Sequence, residues 1–326
     1  MLSDTHNRIH NYLRVSLTDA CNLRCRYCMP HENMKFMPHA SLMTKDEIYN
    51  IAQTFVSLGV NKIRLTGGEP LIRKDFDEIL VRLSSLPVLL TLTTNGVLLD
   101  RHIDLLEQCN VNSLNISLDS LDEKKFLSIT ARNYFSKVMD NIQLLLSRDF
   151  HVKINVVVMK RYNDNEIFDF IQWTKEIPIH VRFIEYMPFQ DNRWDSTKVY
   201  SYKEIIEKAE TYFAIEKIKD APNDTAKNYR VKDYNGTFAV ISTMSSPFCS
   251  SCNRMRITAD GKMKNCLFSK GETDLLHALR SGKPIEHLIR QNLFAKEKSL
   301  GGQWNVSYHK LEEDTLVNRS MIQIGG

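Results

Sequence analysis

Six short strand-like stretches recur in the first 190 or so residues, at 12–17, 62–66, 88–93, 113–118, 152–158 and 181–186, with helix-spaced segments between them. The first helical segment is marked at both ends. Thr44 and Glu47 stand three apart as a capping box, Ile48, Ile51, Ala52, Phe55 and Val56 fall on one face, and Gly59 stops it. Phe76, Ile79, Leu80 and Leu83, then 103–109 and 138–146, continue the series. Such alternation predicts an α/β fold with a parallel sheet and right-handed crossovers. Six units suit an incomplete TIM-type (βα)6 barrel better than a closed eightfold one, with a doubly wound open sheet as the structural rival.

Residues two apart on a strand share a face. Arg14 goes with Ser16, Lys62 with Arg64, Thr91 with Thr93, Asn115 with Ser117, and Lys153 with Asn155. A parallel sheet covered by helices should read as near-continuous apolar runs, so polar and basic residues on one face are costly unless that face lines a wet cavity. The pattern predicts a lumen that binds an anion. An exposed strand end explains any single lysine or arginine equally well, but five strands share the arrangement.

Directly after the first strand come Cys21, Cys25 and Cys28, on one loop. Three closely spaced thiolates can hold three corners of an iron–sulfur cluster and leave the fourth iron open. A zinc site lacking a ligand is the alternative. A second group, Cys249 and Cys252 with Cys266, flanks Asp260-Gly261, a two-residue hairpin signal. Counting back from that turn pairs Ala259 with Lys262 and Met255 with Cys266, which gathers the three thiols. Structural zinc, with His277 as fourth ligand, competes here with a second open cluster. Arg254 and Arg256 lie on one side of the hairpin strand, beside the opening or on a solvated face.

At 326 residues the chain suffices for one large domain or two ordinary ones. The polar, aperiodic stretch 189–197 marks a loose boundary, giving 1–195 and 196–326. A helix at 202–213, a loop at 221–226 and strands at 229–232 and 237–242 lead into the second cysteine group. The net charge of +4 is too small to argue for nucleic acid or a membrane surface. The start lacks a signal-peptide pattern and no apolar run reaches about 18 residues, so a cytoplasmic protein is expected. Seven cysteines, three early, three late and Cys109 between, suit two metal sites in a reducing compartment, with Cys109 structural. The closing Gly325-Gly326 can be a flexible tail, or can enter a site too crowded for side chains.

Taken together, several motifs resemble the MoaA family, the radical S-adenosylmethionine GTP 3′,8-cyclases of molybdenum cofactor biosynthesis. They are Arg14-Val15-Ser16-Leu17-Thr18-Asp19 before the first cysteines, Gly67-Gly68-Glu69-Pro70, Ser117-Leu118-Asp119-Ser120, the run from Val181 to Pro188, the residues around the late cysteines, and the Gly325-Gly326 end. The first cysteine motif alone specifies only the superfamily; the late cysteines, paired arginines and glycine tail are more specific. Two features depart from the family pattern: Ala20 stands where arginine is common, and 220–243 is poor in glycine.

The resemblance implies a C-terminal extension carrying a second iron–sulfur cluster. Cys21, Cys25 and Cys28 would hold a [4Fe-4S] cluster whose open iron chelates S-adenosylmethionine. Tyr27, Gly68, Thr94, Ser117 and Met187 match cofactor-contacting positions, and Glu69 would hold the methionine amine. Cys249, Cys252 and Cys266 would hold the second [4Fe-4S] cluster, whose open iron binds guanine. Arg14, Lys62, Arg64, Lys153, Arg182, Arg254 and Arg256 would surround GTP, with Arg254, Arg256, Gly325 and Gly326 counted as catalytic. A 5′-deoxyadenosyl radical would take the ribose 3′ hydrogen, and the sugar radical would attack guanine C8 to give 3′,8-cyclo-7,8-dihydro-GTP. The implied partners are a reducing electron donor and a downstream cyclic pyranopterin monophosphate synthase. A homodimer is left open, and neither membrane nor nucleic acid is expected. A peptide-modifying radical enzyme and a zinc-stabilised binding protein are the rivals.

Overall fold

Strand β1 (Tyr12–Ser16) begins a run continued by β2 (Lys62–Thr66), β3 (Leu89–Thr94), β4 (Ser113–Ser117), β5 (His151–Val158) and β6 (His180–Glu185). In the computed structural model, which describes residues 1–29, 34–304, 307–311 and 317–325, these strands lie side by side in chain order and are all parallel. The helices between them are α1 (Lys45–Ser57), α2 (Phe76–Ser84), α3 (Ile103–Gln108), α4 (Glu123–Thr130), α5 (Phe135–Ser147) and α6 (Ile167–Trp173). A doubly wound sheet reverses its strand order at a switch point. These six strands do not, and the architecture is the incomplete (βα)6 barrel.

The rest of the chain adds to both edges of the same sheet. After α7 (Tyr202–Glu210) come β7 (Ile215–Lys217), β8 (Lys227–Val231) and β9 (Thr237–Ile241). β9 pairs parallel with β6, and β8 and β7 follow antiparallel. At the other edge β10 (Arg254–Ile257) pairs parallel with β1, followed by β11 (Lys262–Lys264) and β12 (Thr273–Asp274). The described strands thus make one 12-stranded sheet, in which both exposed edges of the six-stranded unit are covered. Helices α8 (Leu275–Arg280), α9 (Glu286–Phe294) and α10 (Met321–Ile324) complete the fold. Among the described residues no helix is long and apolar enough to cross a membrane.

Three local expectations change. β7 carries too few apolar residues to stand out in the sequence, and α7 ends at Glu210 rather than 213. The late hairpin is one residue out of the expected register: Arg256 faces Lys264 and Ile257 faces Met263. Ala259 joins the loop because Gly261 adopts φ +69° and the Thr258 hydroxyl donates to Asp260 at 2.6 Å. The result is a three-residue connection ending in a left-handed glycine rather than a two-residue turn.

The helices are set by their apolar stripes. On α1 the Thr44 side chain accepts from the Glu47 N–H while the Glu47 carboxylate accepts from the Thr44 N–H, which fixes the start. Ile48, Ile51, Ala52 and Phe55 are then turned onto the sheet, where Leu13, Val15, Ile63 and Leu65 share one core with them. Phe55 is 0% exposed, and truncating a buried phenylalanine removes its transfer energy and leaves a cavity, a cost of about 3–5 kcal/mol. Phe55→Ala should therefore lower the urea midpoint of the metal-free protein by that much stability at an unchanged slope, measured by circular dichroism.

Candidate active site

Backbone register sets the lumen. Tyr12 aligns with Lys62, Arg14 with Arg64 and Arg64 with Thr91; Thr93 aligns with Asn115 and Asn115 with Lys153; Ser117 aligns with Asn155 and Asn155 with Arg182. Partners in register share a face, so the polar members of all six strands point inward while Leu13, Ile63, Leu92, Ile116, Ile154 and Phe183 point to the helices and are buried in the core. On the added edge strand, Arg254 aligns with Tyr12 and Arg256 with Arg14. The lumen gathers cations from five strands.

Those cations crowd one another. Arg64 Nε donates to the Tyr12 hydroxyl at 2.5 Å and Nη1 to Leu92 O at 3.1 Å, while Lys62 and Arg14 stand 4.9 and 5.8 Å from the centre of the Tyr12 ring. Burial, with Arg182, Arg64 and Lys62 nearby, pushes the Lys153 ammonium down to about 8. Burial, followed by repulsion from Arg64 and Arg14, likewise brings Arg182 down to about 9. Burial opposes ionisation of the Tyr12 phenol, yet Arg14, Arg64 and Lys62 hold it down near 7. Arg14 Nε, Arg182 Nε and Asn115 Oδ1 are buried with no hydrogen-bond partner among the described residues. A polyanion carrying several acceptors fits this surface; water alone would leave the repulsion in place.

At the C-terminal ends of the strands the cavity wall includes Cys21, Cys25 and Cys28 together with Cys249, Cys252 and Cys266. Tyr27, Gly68, Thr94, Ser117, Met187, Arg14, Arg182, Arg254 and Arg256 line it too. Lys62, Arg64 and Lys153 share the inward face further along the strands. The early loop is held by the Gly67-Gly68 turn, where Gly68 N–H donates to Thr18 O at 2.7 Å and Glu69 N–H to Ala20 O at 2.8 Å. A Cβ on Gly68 would stand 2.3 Å from Ala20 O, so no other residue lets the two loops meet. Glu69 is 1% exposed and accepts from Leu71 N, Thr94 Oγ1 and Asn95 N at 3.1, 2.8 and 2.6 Å. Burial outweighs these bonds and lifts its carboxyl to about 7.

The thiols fit iron–sulfur ligation. All six are free and half-buried. Burial, with Glu69 beside it, pushes Cys21 up to about 11, and burial also raises Cys25 and Cys28, with Asp119 adding to both. Thiols so disposed keep their protons unless a cationic metal group displaces them. In the second group burial opposes ionisation of Cys252, but Arg254 and Lys296 hold it at about 6. His277, the alternative zinc ligand, is exposed on α8 and absent from the cavity wall. Among the described residues no three Cys, His, Asp or Glu side chains converge to hold a single metal ion. Cys109 is buried in the main core.

The C-terminal tail reaches into the lumen. Arg319 clamps Asp260 at 2.8 and 3.0 Å and Glu272 at 2.6 Å, α10 brings Met321 and Ile322 to the cavity wall, and Arg256 Nη1 donates to Gly325 O at 2.9 Å. Gly325 has φ +85°, and a Cβ there would stand 2.8 Å from Ser16 Cβ. Gly326 lies outside the described residues.

Sequence reasoning missed several neighbours of the site. Asp119, quoted within a motif but given no role, accepts from the Tyr27 hydroxyl at 2.7 Å, and Asn95 Nδ2 approaches Cys21 Sγ at 3.7 Å. Tyr12 opens β1, and its alternation with Arg14 was the signal available for it. Lys296 Nζ reaches Cys252 Sγ at 3.7 Å, and Arg8 Nη1 donates to Cys249 O at 2.8 Å. No local pattern marks either residue, because both act across more than 40 positions.

Residues 15–174 match the Radical SAM superfamily and residues 179–301 match Molybdenum Cofactor Synthesis C. The chain is 43% identical to "GTP 3',8-cyclase, mitochondrial" of Arabidopsis thaliana, over 100% of its own length and 84% of that protein. It is 38% identical to GTP 3',8-cyclase of Listeria welshimeri, over 100% of its own length and 99% of that one. With molybdenum cofactor biosynthesis protein 1 of Mus musculus it shares 44% identity over 99% of its own length but only 51% of the relative, so it spans about half of that protein. Among solved structures, SuiB of Streptococcus suis bound to S-adenosylmethionine has a similar fold, with a TM-score of 0.61, 18% identity and coverage of 87% of this chain and 69% of that one. A radical-enzyme half followed by a cofactor-synthesis half, with relatives aligned along the full length, makes this chain a member of the MoaA family of radical S-adenosylmethionine enzymes.

Proposed function

We propose that the chain is a GTP 3′,8-cyclase, converting GTP to (8S)-3′,8-cyclo-7,8-dihydroguanosine 5′-triphosphate in the first step of molybdenum cofactor biosynthesis. The observation that carries this reading is one cavity with two thiol triads in its wall and a lumen of crowded cations leading from it. Residues 1–195 supply the barrel and the first triad, and 196–326 the second triad and the tail.

When bound, the two [4Fe-4S] clusters and S-adenosylmethionine supply the one-electron chemistry, a 5′-deoxyadenosyl radical for removing the ribose 3′ hydrogen at the first triad and an open iron for guanine at the second. The protein's part is placement. Arg14, Lys62, Arg64, Lys153 and Arg182 take the triphosphate, guanidinium forks and ammonium groups replacing its hydration. Arg254, stacked 4.6 Å from the Phe248 ring centre, and Arg256, braced by Gly325 O, hold the nucleoside end between the triads. Glu69 anchors the cofactor's amine, while Tyr27, Gly68, Thr94, Ser117 and Met187 wall its site. Phe248, Leu267, Phe268 and Leu300 exclude water around the reacting sugar.

A reducing donor and the downstream cyclic pyranopterin monophosphate synthase complete the reading. Seven free thiols suit a reducing compartment such as the cytoplasm.

Anaerobically reconstituted protein should carry close to eight irons per chain and, given a reductant, S-adenosylmethionine and GTP, should form 5′-deoxyadenosine and the cyclised nucleotide in equal amounts by mass spectrometry. Eight irons with no GTP-dependent product would refute the substrate assignment.

The lumen also predicts a proton linkage. Lys153 titrates near 8 without ligand, and bound phosphates favour its charged form, so nucleotide binding takes up a proton where the free ammonium is partly deprotonated. The Lys153 contribution to affinity is full below about pH 8 and falls as pH rises toward the higher bound-state value. Arg182, Arg64, Lys62, His151, His180 and Tyr12 surround the site, and Tyr12, near 7, adds uptake of the same sign. Calorimetry at pH 8.5 in buffers of different ionisation enthalpy should show uptake that decreases in Lys153→Met; equal uptake in both proteins would remove Lys153 from the phosphate site.

A further inference from the structure

The two thiol triads sit in opposite electrostatic surroundings. Carboxyl groups stand near the first: Glu69 by Cys21, and Asp119 by Cys25 and Cys28. Cations stand near the second: Arg254 Nη2 is 3.5 Å from Cys252 Sγ and Lys296 Nζ 3.7 Å from the same sulfur. Arg254 faces the cavity and serves the substrate in the reading above. Lys296 does not line the cavity; it lies behind the cysteine, just beyond α9.

Lys296 is 3% exposed, and its contacts among the described residues are a sulfur and a carbonyl oxygen rather than a carboxylate. Its ammonium donates to Arg254 O at 3.1 Å, and the anionic groups that favour its charge are Cys252 and Cys266. Burying an unpaired ammonium costs several kcal/mol unless a counter-charge offsets it. Among the described residues the counter-charge at this position is thiolate.

The position is also fixed from behind. Arg8 is buried, and its guanidinium spans Cys249 O at 2.8 Å, Lys298 O at 2.9 Å and Glu297 O at 2.8 Å. Asp4 in turn grips Arg8 Nε at 2.6 Å and His10 Nε2 at 2.9 Å. The first ten residues thus lock the 296–298 turn against the Cys249 turn. Lys296 is held where its charge acts on Cys252 and cannot swing to solvent.

Cationic charge and N–H···S hydrogen bonds at a cysteine ligand stabilise the reduced, more negative state of an iron–sulfur cluster and raise its potential. We propose that Lys296, acting through Cys252, raises the reduction potential of the second cluster and keeps it above that of the first. The inference rests on the two-cluster reading and makes Lys296 a positioning residue, since it touches a ligand and not the substrate.

The test is anaerobic potentiometry of the holoenzyme followed by electron paramagnetic resonance, without GTP. The first cluster is recognised as the signal that changes when S-adenosylmethionine is added. Wild type should show the second midpoint above the first. Lys296→Met should lower the second midpoint by at least tenfold in the reduced-to-oxidised ratio, about 59 mV for one electron, with the first unchanged and eight irons retained. Lys296→Arg should stay near wild type, and Lys296→Gln, which keeps an N–H but not the charge, should fall between. An unchanged second midpoint in Lys296→Met overturns the proposal, as do equal movement of both clusters or an Arg variant that shifts as far as Met. Loss of second-site iron in both the Met and Gln variants assigns Lys296 a structural role and overturns it equally. Only four irons in wild type would refute the two-cluster reading itself, and this inference with it.

Discussion

Repulsion between buried cations is the constraint on which the rest of the molecule depends. Arg14, Lys62, Arg64, Lys153, Arg182 and Arg256 face a common lumen, and each close pair costs on the order of a few kcal/mol in a partly screened interior. Among the described residues no carboxylate answers them at hydrogen-bond distance: Arg64 is met by a phenol and a carbonyl, Arg182 by the Asn155 amide oxygen, and Arg256 by the Gly325 carbonyl. The carbonyl and amide acceptors orient these groups without cancelling their charge, and the Tyr12 phenol, held near 7, offsets only part of it. The fold sustains the arrangement because the opposite face of every strand is packed into the core, where each fully buried aliphatic or aromatic side chain contributes about 1.5–3 kcal/mol.

That arrangement needs both edges of the six-stranded unit to be continued. β10 lies against β1 and β9 against β6, so the last third of the chain extends the sheet on each side and brings Arg254 and Arg256 into register with Tyr12 and Arg14. The same pairing carries the late cysteines to the cavity that the early ones already line. Arg319 then draws the chain end across, through Asp260 and Glu272, until Gly325 enters a gap that Ser16 and Thr66 leave too narrow for a side chain. Arg254, Arg256, the second triad and the tail all depend on one edge pairing between residues more than 240 positions apart.

Much of this was legible from the sequence because it is local and periodic. The period-two recurrence of Arg14, Lys62, Arg64, Asn115 and Lys153 identifies the inward face, and the capping box at Thr44 and Glu47 locates α1. Six units follow from strand and helix periods, which favour the incomplete barrel but leave the doubly wound order as a rival; the pairing of neighbours decides it. What escaped is non-local or conformational. The pairing of β10 with β1 leaves no periodic trace, since neither strand encodes its neighbour. The hairpin register turned on whether Ala259 belongs to a strand or a loop, a choice made by the left-handed Gly261 and the Thr258–Asp260 bond. Lys296 and Arg8 look like surface residues in sequence; only the closure of the 296–298 turn on Cys249 buries them.

The cavity is therefore divided by charge as well as by cysteines. Glu69 and Asp119 make the early side acidic, Arg254 and Arg256 make the late side basic, and Lys296 adds its charge from behind Cys252. S-adenosylmethionine carries a sulfonium and an amine, whereas a nucleoside triphosphate is a polyanion. A cavity with this polarity discriminates between them before any specific hydrogen bond forms, because exchanging the two ligands would bring cation to cation and carboxylate to phosphate. The division also bears on electrons, since acid neighbours disfavour a reduced cluster and basic neighbours favour one. On the proposed reading, the side chains that would set a cationic radical source opposite an anionic substrate are the same ones that would give electrons a downhill direction, so ligand order and redox order would share a single electrostatic origin.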